Sequence, residues 1–412
     1  MKYIIITSIS FLILINLSCK DKGVDPQDNY PPGYQHDIPW PSLADSPWPM
    51  SHHDPQNTGR SKNNGSLIGD IEWQLNIPGI NSAVGFTDFV LGEDSTIYFG
   101  SSYENVNGEQ MSYLYAVSIN GNIKWKFALN HPFVDTAPLV ASNGTVYIGS
   151  GDKYFYAIDL NGQLKWKYGA DESIFLSGIN IDKSGNIYFI SNSGKLISLD
   201  NQGNFRWQLL PDGGLKASSE SGITFSPDGK TIYAPGHVGF GSKSLYAISH
   251  EGNILWSFGT DVYIIQPLVD SEGNIYFEYS NPNDSLFYGF LSLYPSGLKR
   301  WVYPTSAGFV LPTMDKNGNI YFAKGSGIVS LDYHGNFRWN FNLNGLIPTT
   351  ALCCDNSGNI YYASTDFIAI NNDGTLKYTL PISDFNFSSP AIGFDRIYLG
   401  SVNNPKILYS IR

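Results

Sequence analysis

The chain has little charge. Of its 412 residues only 15 % are Asp, Glu, Lys or Arg, against roughly 25 % in an ordinary soluble domain. Low charge with 15 % Phe, Trp and Tyr excludes intrinsic disorder, which needs high charge and few aromatics. Cysteine is scarcer still. Three residues cannot staple a disulfide scaffold. Basic residues number 25 against 36 acidic ones, for a net charge of −11, and they form no cluster. A nucleic-acid partner, whose affinity comes from phosphates neutralised by a basic surface, is therefore excluded. A Gly-rich phosphate loop, zinc-type Cys/His spacing and a G-x-S-x-G elbow are all missing. Ser, His and Asp occur but no motif links them into a triad, so no catalytic residue and no metal ligand is nominated. What the chain does have is 42 glycines, 27 tyrosines and 9 tryptophans. Gly plus aromatics at low charge points to many short strands joined by tight turns. Length alone suggests two or three domains, which one large all-β architecture can absorb.

The first eighteen residues read as an address. Lys2 supplies a short positive region, and nine of the twelve residues from Ile4 to Ile15 are apolar. That is the layout of a secretory signal and is too short for a membrane-spanning helix, which needs about 20 apolar residues. No later segment reaches that length, so no membrane span is expected. Asn16-Leu17-Ser18 then precedes Cys19. The segment resembles a bacterial lipoprotein signal, although Leu falls two positions before the cysteine instead of three. The resemblance implies that Cys19 is lipidated. Two or three acyl chains hold a protein firmly where one does not. Lys20-Asp21 resembles the charged tag with which some gram-negative groups send lipoproteins to the cell surface. The expected location is the outer membrane of a gram-negative bacterium, periplasmic or surface-exposed. Seven of the 23 prolines fall between Pro26 and Pro49. Proline fixes φ and lacks a backbone donor, so residues 19–47 read as the lipidated cysteine and an extended tether.

From residue 48 onward the chain repeats. One motif is a short strand centred on Tyr98, Tyr147, Tyr188, Tyr233, Tyr276, Tyr321, Tyr361 and Tyr398, as in TIYFG, TVYIG and NIYFA, at spacings of 37 to 49 residues. The other alternates with it: GNIKWKF, GQLKWKY, GNFRWQL, GNILWSF, GLKRWVY and GNFRWNF, with Trp125, Trp166, Trp207, Trp256, Trp301 and Trp339. Trp73 in DIEWQL is an N-terminal copy, and Tyr378 takes the Trp place in the last one. A period near 43 residues without helical 3.6 periodicity fits four-stranded propeller blades. The Asp-, Asn-, Ser- and Gly-rich turns between strands suit tight hairpins. The two motifs run out of phase. The chain opens on an outer strand, Ile71–Asn76, and closes on three inner ones, 388–393, 396–401 and 406–411. The opening strand is expected to complete the last blade, which gives an all-β, eight-bladed propeller over residues 48–412 with no unpaired edge. The recurring tryptophans read as buried wedges between blades.

The alternation of an IY strand with a G-x-x-x-W strand resembles the quinoprotein-type, or PQQ-like, repeat. WPMSHHDPQNTGRS at residues 48–61 is similar to the lead-in of that superfamily. The D-x-x-G turns at Asp182, Asp270, Asp315 and Asp355 also resemble NHL-type repeats, but the Trp strands favour the quinoprotein type. These turns lack the run of oxygen ligands of a calcium loop and read as Asx-type hairpins. Adjacent His52 and His53 on an extended segment would point to opposite sides, so with Asp54 they are read as structural.

The superfamily implies two activities. Its enzymes hold PQQ and Ca²⁺ in the central funnel beneath an adjacent Cys-Cys disulfide. Cys353-Cys354 invites that comparison, but the pair falls at ordinary positions of an inner strand, where two buried free thiols are the alternative to a strained ring. No ligand set for Ca²⁺ and no basic residue over a quinone is matched, so no cofactor is expected, PQQ included. Its non-enzymes resemble scaffold lipoproteins, among them the propeller lipoprotein of the outer-membrane barrel-assembly machinery. The expected function is a non-catalytic, monomeric propeller lipoprotein with a protein or glycan partner on one face. Outer-membrane assembly and PQQ-dependent dehydrogenation are the alternatives.

Overall fold

The computed structural model describes residues 30–77, 86–106, 109–174, 178–216, 222–237, 241–260, 262–280, 288–305, 308, 310–342, 348–382, 388–401 and 406–412. The signal segment 1–18 and Cys19 lie outside the described residues. The compact unit runs from Gly33 to Arg412, and its regular structure among the described residues is all strand. They form eight antiparallel sheets. Seven are built in chain order, with inner strands Val90–Leu91, Leu139–Val140, Asn180–Ile181, Thr224–Phe225, Leu268–Val269, Thr313–Met314 and Cys353–Cys354. In the eighth, Ala391–Gly393, Arg396–Ser401 and Lys406–Ile411 are completed on the outside by Ile71–Ile77. That strand pairs in register from Trp73–Ser410 to Ile77–Lys406. The ring is an eight-bladed propeller closed by its own N-terminal strand. Blade five carries an additional strand, Tyr263–Ile264, beside its second strand.

The burial pattern follows from position within a blade. The second and third strands of blade three, Ile187–Ile190 and Leu196–Leu199, are buried at every residue because neighbouring blades cover both faces. The outer strand Phe205–Leu209 is half-buried or exposed throughout. The eight repeat tyrosines occupy the second strands and are 0–1 % exposed. At 150–250 Å² and about 25 cal/mol per Å², each contributes about 4–6 kcal/mol as an upper bound.

The tryptophans differ from the wedges expected of them. They are half-buried, not buried, and act as clamps at the rim. Each lies over the turn glycine of the next blade, as Trp125 does over Gly162 and Trp339 over Gly374. In all but Trp301 the indole N–H donates to a carbonyl of the same turn, as Trp73 does to Ile119 at 3.0 Å, Trp125 to Leu160 at 2.8 Å and Trp339 to Asn372 at 3.0 Å. Tyr378 covers Gly69, and Trp73 covers Gly121, so the clamps continue through the closing blade.

In blades three, five, six and seven the tyrosine hydroxyl anchors the turn. Tyr188, Tyr276, Tyr321 and Tyr361 donate to Asp182, Asp270, Asp315 and Asp355 at 2.7–2.9 Å. Each Asp also accepts backbone N–H groups two and four residues on, as Asp182 does from Ser184 and Asn186 at 2.9 Å. An outer-strand cation donates to each tyrosine oxygen: Arg206 at 2.9 Å, Arg300 at 2.8 Å, Arg338 at 3.3 Å and Lys377 at 3.0 Å. The D-x-x-G turns are Asx-type hairpins whose carboxylates belong to the fold.

Residues 33–47, read from their prolines as tether, pack on the propeller. Regular strand is absent from them, as proline dictates, but Gln35, Trp40, Leu43 and Ala44 are buried. The Ala44 N–H donates to Val140 O at 3.0 Å, and the Trp40 indole to Ile181 O at 2.8 Å. The packed body therefore starts at Gly33 and not at residue 48, because these carbonyls and apolar pockets at the ring's centre supply partners that proline-rich chain otherwise finds in water.

Candidate functional site: the central channel and its plug

The inner strands surround an axial channel. Each runs from a mouth, where the strand begins, to a base, where the first hairpin turn lies. Residues 48–61, the lead-in segment, cross this channel and fill it. Backbone carbonyls of the segment accept the N–H groups of six inner strands. Trp48 O takes Leu91 at 2.7 Å, Pro49 O takes Val140 at 2.8 Å and Pro55 O takes Phe225 at 2.8 Å. Gln56 O takes Val269 at 2.9 Å, Thr58 O takes Met314 at 3.1 Å and Gly59 O takes Cys354 at 2.8 Å. Blade three contributes the Asn180 amide, which donates to Pro55 O at 3.3 Å. In blade eight Ile392 O accepts from Ser61 Oγ at 3.3 Å. Inner strands have no ladder partner on their axial edge, so without the plug these N–H groups would be open to water. Buried backbone groups need partners, and the plug supplies them.

The plug's own turn is tight. His52 and His53 are not extended as expected. Both have left-handed backbone, φ 55° and 77°, and both are buried. The His52 ring meets Asn57 O and Leu352 O, each at 2.9 Å, and burial lowers its pKa. Asp54 accepts from the N–H groups of Gln56 and Thr58, from the Thr58 hydroxyl and from His53 Nδ1. Burial would raise its carboxyl, but these donors outweigh burial and hold it below the usual range. The Asp54 carboxylate is used within the turn, and the His52 ring ties the turn to Leu352 of blade seven.

At the mouth the channel leaves a funnel of about 180 Å³ floored by Met50 and Ser51. That is below the roughly 300–1,000 Å³ of ordinary small-molecule sites. Its charged lining residues are Asp88 and Asp135. Asp88 accepts from Ser51 Oγ at 2.7 Å and Ser389 N at 3.0 Å, which ties plug to blade eight. Among the described residues no Lys or Arg lines the funnel. PQQ is a tricarboxylate, and the described lining of the funnel offers it no basic partner. Cys353 and Cys354 are free, buried thiols. Cys354 Sγ accepts from Thr313 Oγ1 at 3.4 Å, while Cys353 packs in the core cluster with Tyr361. Burial pushes both thiols up. No group of three metal-binding side chains occurs among the described residues.

This architecture is an eight-bladed β-propeller whose repeats are similar to the quinoprotein-type, or PQQ-like, repeat. Residues 69–220 match the family described as outer membrane protein assembly factor BamB. Among solved structures the chain is similar to BamB from Moraxella catarrhalis, at 13 % identity and TM-score 0.58, over 82 % of this chain and 98 % of that one. It is also similar to a europium-containing methanol dehydrogenase, at 12 % identity and TM-score 0.64, over 86 % and 89 %. A third is the quinohemoprotein alcohol dehydrogenase from Comamonas testosteroni, at 11 % identity and TM-score 0.65, over 88 % and 80 %. No curated protein matches the chain. At such identities the likeness is one of fold, and it joins this chain to assembly factor and dehydrogenases alike.

Proposed function

We propose that the protein is a non-catalytic lipoprotein of the gram-negative outer membrane, anchored through Cys19, whose propeller binds or scaffolds a protein or glycan partner at the mouth face. The observation that carries this reading is the funnel at the mouth. Residues 48–61 fill the axis beneath it and bond to the inner strands. Among the described residues its charged lining is Asp88 and Asp135, with no Lys or Arg. A second reading, an outer-membrane protein assembly factor, is favoured by the family match over residues 69–220 and the likeness to the Moraxella protein. Affinity capture from envelope membranes, using the native chain and a Cys19→Ser chain, tests both. Membrane-dependent recovery of a partner supports the scaffold reading, and recovery of barrel-assembly components selects the second. Dye-linked alcohol or sugar oxidation by the protein mixed with PQQ and Ca²⁺ would overturn both.

A further inference from the structure

The two ends of the ring carry different surfaces. Strands alternate in direction along each blade, so the first and third hairpin turns lie at the base and every outer strand starts there. The residue that opens the outer strand is apolar and exposed in every blade but five, from Ile71 at 41 % to Phe337 at 56 %. In blade five Leu298, one place earlier, is 68 % exposed. Leu160 and Tyr294, in third turns, are exposed at the same end. So are Leu67 and Ile68, held at the base of blade seven between Ser66, whose carbonyl accepts from Lys377 at 3.0 Å, and Gly69 under Tyr378. Among the described residues, Leu210 is the one exposed large apolar side chain at the mouth.

Single exposed apolar residues are ordinary on a protein surface. One per blade at one end is a pattern, and exposed apolar surface concentrated in one place marks a contact. Equivalent positions of successive blades in a propeller share one level along the axis. These side chains therefore form a ring that a flat surface meets all at once, whereas a globular partner would cover only a few blades. The cations beside them do not charge the ring. Arg206, Arg338 and Lys377, next in sequence to Phe205, Phe337 and Leu376, donate inward to the tyrosine oxygens of their own blades.

The chain that leads back to Cys19 leaves the propeller from this same end. Residues 33–46 cross the base as a strap. Gly33 lies against the Tyr333 ring at the third turn of blade six. The Gln35 N–H donates to Lys316 O at 2.8 Å, and the Asp45 N–H donates to Glu93 Oε1 at 2.8 Å. Gly33 stands fourteen positions after Cys19, a length that spans at most about 50 Å. With the base toward the bilayer this chain runs straight to its anchor. With the mouth toward the bilayer it would have to pass around the rim and along the height of a blade. We infer that the base rim rests on the bilayer that holds the Cys19 lipid, with the apolar ring inserted among the headgroups and the mouth turned away, open to its partner. The inference rests on the lipoprotein reading above. Contact of this kind draws on buried apolar area and needs no anionic lipid.

A Cys19→Ser chain, which carries no lipid, separates the rim from the anchor. In flotation it should partition onto phosphatidylcholine vesicles, and adding phosphatidylglycerol should not strengthen that partition. A Leu298→Glu, Phe337→Glu double variant should partition about tenfold more weakly, and Leu210→Glu should match the parent. All three side chains are more than half exposed, so unchanged melting is expected of both variants. In the native chain on the same vesicles, a fluorophore at Leu298→Cys should be quenched by a headgroup-borne quencher several-fold more than one at Leu210→Cys. The buried Cys353 and Cys354 take no label. Mass spectrometry of native Cys19 tests the anchor by itself, so loss of the lipoprotein reading is told apart from loss of the rim contact. No partition of the Cys19→Ser chain, binding to anionic vesicles alone, an equal loss in Leu210→Glu, or equal quenching at the two positions would overturn the inference. So would a dimer in solution that the two base glutamates break.

Discussion

Removing the plug should unfold the ring. Consider three truncated chains, starting at Gly33, at Pro47 and at Lys62. The first keeps the whole compact unit and should melt like the full chain. The second loses the strap, with its buried Trp40, Leu43 and Ala44, and should melt lower but still cooperatively. The third loses the plug. Six inner-strand N–H groups then exchange a carbonyl at 2.7–3.1 Å for water, at a net cost of about 1 kcal/mol each, or about 6 kcal/mol together. Exposure of the contacts of Trp48 and Met50, 2 % and 3 % exposed, adds about 3–5 kcal/mol more. The sum matches the 5–15 kcal/mol total stability of ordinary domains, so the chain from Lys62 should give no cooperative transition. Circular dichroism against temperature and urea measures all three. A cooperative melt of the Lys62 chain within a few degrees of the Gly33 chain would refute the reasoning, because the inner strands would then hold the ring without axial partners.

The rim clamp makes a sharper contrast at single residues. Gly374 and Gly185 both have φ +88°, but a Cβ at Gly374 would stand 2.7 Å from the Trp339 ring, while one at Gly185 meets nothing nearer than 3.7 Å. Both alanine variants should lose the left-handed penalty of about 1–2 kcal/mol, and Gly374→Ala about 1–3 kcal/mol more, read from urea midpoints. The closing strand should show a pH signature. Arg396 binds Glu72 through Nε at 2.5 Å and Nη2 at 2.9 Å, and this pairing holds the Glu72 carboxyl below its ordinary 4.5. Glu72→Gln should cost under about 1 kcal/mol, since the pair is partly solvated. That loss is present above pH 4.5 and disappears as the pH falls through the lowered value, where the native carboxyl also takes up its proton. The inner-strand cysteines should be inert. In a Cys19→Ser chain, Ellman's reagent should find no thiol before unfolding and two after it, and prompt reaction of the folded chain would contradict their burial.

Much of the fold was legible because a propeller repeats its chemistry. One tyrosine and one tryptophan per blade, with turn residues between them, fix the period, and their phase places Ile71–Ile77 on the outside of blade eight, where it pairs with Lys406–Ile411. Motif recurrence does not report degree of burial. Tyrosine on a strand flanked by blades on both sides is sealed, whereas tryptophan on an outer strand meets solvent at one edge, and only packing tells them apart. The lead-in and strap behaved differently again. Residues 48–61 hold the ring largely through backbone carbonyls, which every residue type carries, so no side-chain pattern announces the plug, and the prolines of residues 33–47 signal irregular chain without saying whether it is free or bound. The sequence by itself determined the number of blades, their order and their closure, since those follow from periodic side chains and nearest-neighbour pairing. The tertiary structure decided what occupies the axis and which inner-strand groups it bonds. Both depend on residues far apart in the chain, such as Gly59 with Cys354 and Arg60 with Asp315, meeting only once the ring has closed.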